Sequence, residues 1–89
     1  MLDINTQDSD ALIEVLRETL KDEVVIELTD DEFESLDFDT TLEEVGMGEL
    51  EVTELLDALN IRLEMTLKDK QAAEWKTFEN IVDTIIENT

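Results

Sequence analysis

The sequence has no cysteine, no histidine and no proline, only two glycines, and six basic residues against 26 acidic ones. Each shortage excludes something. Without cysteine there is no disulfide to brace a short chain, which fits a reducing compartment. Without histidine or cysteine the common nucleophile–base pairs cannot be built. Carboxylates are abundant, but none is marked out by a cleft legible in the sequence, so an enzyme is not expected. Lacking proline and nearly lacking glycine, the chain favours helices over turn-rich sheets. A formal net charge of −20 disfavours nucleic-acid phosphates and an anionic membrane surface, and favours a basic protein partner. No apolar run approaches the roughly 20 residues that span a bilayer. The first residues, with Asp3 and Asp8, lack the basic region of a signal peptide, and a cytoplasmic location is expected.

What is present reads as a single domain, 1–89. The hydrophobic fraction of 42% suffices for a core, although a chain this short buries only about 60% of its unfolded surface. Leu12, Val15, Leu16 and Leu20 recur at helical spacing and predict a first helix over 9–21, with Ser9 as N-cap. A long connection follows, 22–48. In it Val24, Val25 and Ile26 favour extended backbone. Thr29–Glu32 and Thr41–Glu44 have capping-box form and predict short helical turns. Gly46 and Gly48 break the chain before a second helix over 49–63, whose apolar stripe is Val52, Leu55, Leu56, Leu59 and Leu63. On that helix Glu51, Glu54 and Asp57 are expected to be largely solvated. Met65–Leu67 reads as extended. Asp69 is placed as the cap of a brief third helix with Ala72, Ala73 and Trp75. Thr77 is placed as the cap of a last helix with Phe78, Ile81, Val82, Ile85 and Ile86 on one face. Helices with one apolar face each must pack together.

The stretch from Leu42 to Leu59 adds a resemblance. It reads Leu-Glu-Glu-Val-Gly-Met-Gly-Glu-Leu-Glu-Val-Thr-Glu-Leu-Leu-Asp-Ala-Leu and resembles the acyl carrier protein family, which typically has Leu-Gly-x-Asp-Ser-Leu before an acidic second helix. Val45-Gly46-Met47 matches the Leu-Gly-x part and Leu50 the final Leu. Leu63, Leu67 and Thr77-Phe78 fall at matching places downstream, so the resemblance covers about residues 40–86. It implies a small all-α antiparallel bundle of carrier type, with three longer helices, one short helix and a long first loop. It also implies a monomer that docks on basic patches of acyl-transfer or condensing enzymes in fatty acid or polyketide biosynthesis.

The departure lies where the family attaches its cofactor. Gly48-Glu49 stands in place of Asp-Ser, and a carboxylate cannot accept the phosphodiester of phosphopantetheine. No cofactor is therefore expected at Glu49, flanked by Gly48 and Leu50. Of the two serines, Ser35 imitates the motif only superficially and Ser9 suits a cap. Glu49 has two readings. One is that it stands for the charge of a prosthetic link; the other is that it is simply a residue that suits a helix start, where negative charge is worth about 0.3–1 kcal/mol. Glu51, Glu54 and Asp57 also have two readings: a docking face, as the resemblance implies, or an ordinary solvated face of an acidic chain. Together with Glu49 and Leu50 they form the candidate partner-docking set. Asn60-Ile61-Arg62 interrupts the acidic run, and Lys68 and Lys70 dilute the third helix. An inward indole at Trp75 would occupy the space in which carriers shelter an acyl chain, or it is plain core.

Two rival classes remain to be weighed. Asp37, Asp39, Thr41 and Glu43 alternate as in a calcium loop, but Leu42 and Gly48 occupy the positions that need Gly and Glu, so no metal site is expected. An acidic interaction module or DNA-mimicking decoy shares the charge but has no need of the run around Gly46.

Overall fold

The computed structural model describes residues 8–24 and 26–88; Asp3 and the extended backbone expected at Val25 lie outside them. Among the described residues there are five helices and no strand: α1 (Ser9–Glu23), α2 (Asp30–Glu34), α3 (Glu49–Leu63), α4 (Asp69–Ala72) and α5 (Phe78–Glu87). The small all-α bundle expected from the sequence is what the chain forms. The helix expected second is α3, because the Thr29–Glu32 capping box closes as predicted and starts α2.

Helix ends follow local chemistry, with two corrections. Asp8, not Ser9, caps α1: its carboxylate accepts the backbone N–H groups of Asp10 and Ala11. Asp and Ser are equally good caps, so their adjacency leaves the choice to geometry. Asp69 does not cap α4 but is its first residue. The cap position is Lys68, whose N–H donates to Gln71 Oε1 at 2.9 Å. Thr77 caps α5 as expected, accepting from Asn80 N–H at 3.3 Å, while Asn80 Oδ1 accepts from both Lys76 and Thr77 N–H.

One apolar cluster takes side chains from all five helices. Leu12, Leu16 and Leu20 of α1, Leu55 and Leu59 of α3, and Phe78, Ile81 and Ile85 of α5 are fully buried. Burying each contributes about 1.5–3 kcal/mol. The connection from α1 to α3 also joins in, because Phe33 and Leu36 are buried and Arg17 Nε donates to the Leu36 carbonyl at 2.9 Å. Met65–Leu67 lies between helices without regular secondary structure, and Asn60 exchanges two hydrogen bonds with the Leu67 backbone, at 2.7 and 3.0 Å.

End contacts set the directions. Arg62, near the end of α3, reaches Thr19 Oγ1 at 3.3 Å and Asp22 at 2.9 Å near the end of α1. These two helices thus come together at their C-terminal ends, not head to tail. At the other end, the segment before α3 pairs with the segment before α5: Leu42 N–H donates to Lys76 O at 2.9 Å and Phe78 N–H to Thr40 O at 3.1 Å. The chain seven to nine residues before α3 therefore lies against the start of α5. The connection from α1 must travel the length of α3, about 22 Å for 15 residues, which is why it is long.

Candidate functional site

The Gly46 region builds the start of α3. Thr41 and Glu44 exchange two hydrogen bonds, at 3.1 and 3.3 Å, as their capping-box form predicts. The helical turn does not grow, because Gly46 reverses the chain at φ +77°. Its N–H donates to Glu43 O at 3.0 Å, and Met47 N–H donates to Leu42 O at 3.0 Å. An added Cβ at Gly46 would meet no atom within 4 Å, so glycine is required for its conformation and not for room. Val45 and Met47, on either side, are buried and fasten the turn to the core.

Gly48 occupies the N-cap of α3 and has no side chain to offer. Glu51 compensates by accepting the Gly48 N–H at 2.7 Å. This bond holds Glu51 half-buried and gives it a structural task that its place in the acidic run concealed. Glu54 is also half-buried, whereas Asp57 is solvated as expected. Glu49 is exposed, and its carbonyl accepts from Thr53 Oγ1 at 3.0 Å. Leu50 stands 69% exposed beside it.

The five candidate docking residues do not share one direction. Successive helical residues are rotated by about 100°, so Glu49 and Glu51 diverge to opposite sides of Leu50, while Glu54 and Asp57 return to its side. Two hollows flank this ridge. The larger, about 810 Å³, opens on the Glu49 side, with Leu42, Met47, Val52, Ala72 and Trp75 in its lining and Glu43, Asp69 and Lys76 contributing charge. The smaller, about 480 Å³, lies on the Glu51 side against Ile26, Leu28 and Val45. Trp75 is buried and its Nε1–H donates to Thr84 Oγ1 at 2.9 Å, so the indole is tied to α5 and forms part of the wall of the larger hollow without closing it. Ala73 and Trp75, expected on the third helix, lie beyond its end, because α4 stops at Ala72 with Ala73 as its exposed C-cap.

Little basic charge offsets the carboxylates here. Among the described residues the ion pairs are Lys21–Asp30 at 3.2 Å and Arg62–Asp22 at 2.9 Å, both away from the start of α3. Ser35, the rejected imitation of the attachment serine, donates to Asp31 O at 2.8 Å just past the end of α2. No described helix is long and apolar enough to cross a membrane. In comparisons with known proteins, no family model, no curated protein and no solved structure matches this chain.

Proposed function

We propose that the chain is an acyl-carrier-protein-like protein that docks on basic surfaces of acyl- or polyketide-processing enzymes through α3 and carries no phosphopantetheine at Glu49. The observation that carries this reading is the exposed Leu50 next to the exposed Glu49, at the first turn of α3 and behind the Gly46 reversal. What supports the reading is the combination, an apolar side chain flanked by carboxylates, which is the arrangement of an apolar anchor within a polar rim. The hollow on the Glu49 side supports the same reading, since an apolar recess beside the attachment position is what a carrier-like ancestry would leave.

Restoring the attachment site tests this. At Gly48 the backbone has φ −96°, which any residue adopts, and a new Cβ would approach only the flexible end of Glu51, at 3.2 Å. The variant Gly48→Asp/Glu49→Ser should therefore fold. Incubated with coenzyme A and a broad-specificity phosphopantetheinyl transferase, it should gain the mass of one phosphopantetheinyl group, while the unaltered chain gains none. A folded variant that stays unloaded would overturn the carrier reading and leave an acidic interaction module in its place.

A further inference from the structure

Leu50 and Ile61 are the large apolar side chains left exposed among the described residues, at 69% and 79%. Both belong to α3. They are separated by about three turns, so they project from the same side of the helix, about 16 Å apart along its axis. Glu54 and Asp57 fall between them on that side, since each step of three or four residues returns to one face. The single base of α3, Arg62, is turned away to Asp22 and Thr19 of α1. The outward stripe of α3 is thus apolar at both ends and negative in the middle.

We infer that this stripe is a two-anchor docking face for a basic amphipathic helix of a partner protein. Leu50 and Ile61 each meet an apolar side chain of that helix, and Glu54 and Asp57 meet the Lys or Arg residues between. The inference rests on the reading of α3 as the docking helix. It adds the second anchor at Ile61 and the shape of what is bound. Charge selects the occupant. A second copy of this chain would bring another net −20 and the same carboxylates, and an anionic bilayer would be repelled likewise. Shape selects it too, because a straight stripe on a rigid rod is matched along its length by a second rod with the same apolar spacing.

The probes are two synthetic Lys-rich helical peptides of identical composition. One carries two Leu residues spaced as Leu50 and Ile61 are, with Lys between them on that face. The other carries its Leu pair on adjacent turns at one end. Fluorescence anisotropy against the full chain should show the first peptide binding at least about tenfold tighter than the second. Leu50→Ser and Ile61→Ser should each weaken the first peptide about tenfold. Glu54→Gln/Asp57→Asn should flatten the loss of binding with added salt. Equal binding of the two peptides, or unchanged affinity in Ile61→Ser, would overturn the inference. Loading of the Gly48→Asp/Glu49→Ser variant separates the two failures: if loading occurs and the peptide result fails, the second anchor falls while the carrier reading stands.

Discussion

α3 and α5 each follow a break in the chain, yet they place their apolar residues differently. In α5 Phe78, Ile81, Val82 and Ile85 are buried, and Glu79, Asp83 and Glu87 face water. In α3 Leu55, Leu56, Leu59 and Leu63 are buried, but Leu50 and Ile61 stand outward. The helix starts differ as well. α5 has a hydroxyl cap at Thr77 backed by Asn80, whereas α3 starts on a glycine braced only by Glu51. One helix is wholly committed to the core. The other divides its apolar residues between the core and a surface, and its start follows a glycine turn.

The comparison can be broken most easily in α5. Phe78→Ala removes a fully buried ring and should cost about 3–5 kcal/mol in chemical denaturation, much of the stability of a small domain. A loss below about 1 kcal/mol would mean that α5 is not the committed helix. Next comes the turn before α3. Gly46→Ala forces a Cβ into the left-handed region and should cost about 1–2 kcal/mol; a neutral result would show that the turn relaxes. Thr77→Ala should cost about 1 kcal/mol through loss of the cap. The smallest effect sharpens the contrast: Leu50→Ser and Ile61→Ser should each change stability by no more than about 0.5 kcal/mol, despite altering large apolar residues. A greater loss in either would place that side chain in the fold and not in a surface for partners.

Much of this was legible where periodicity and a breaker coincide. Gly48 followed by the Val52–Leu63 stripe predicts α3 at the bounds observed, and Thr77 with the Phe78–Ile85 stripe predicts the start of α5. Periodicity does not see polar extensions, so α1 runs on through Asp22 and Glu23, beyond the expected end at Lys21. It also does not see side chains that serve a distant backbone. The hold of Asn60 on Leu67, of Arg17 on Leu36 and of Arg62 on α1 depends on tertiary placement. At the site, the sequence placed Glu49 and Leu50 at the start of a helix. It did not distinguish Glu51, drawn back to Gly48, from Asp57, left in water, because both are acidic residues in one run. Ile61 was visible only as an interruption of that run; its outward direction follows from the register of α3 against the core.

The most direct test of α3 as the docking helix is an amide chemical-shift titration of the unaltered chain with a broad-specificity phosphopantetheinyl transferase at low salt. The account predicts shifts concentrated at Leu50, Glu54, Asp57 and Ile61 and fading as salt is added, with α5 unaffected. Shifts centred on α5 or α1, or none at any concentration of transferase, would contradict it.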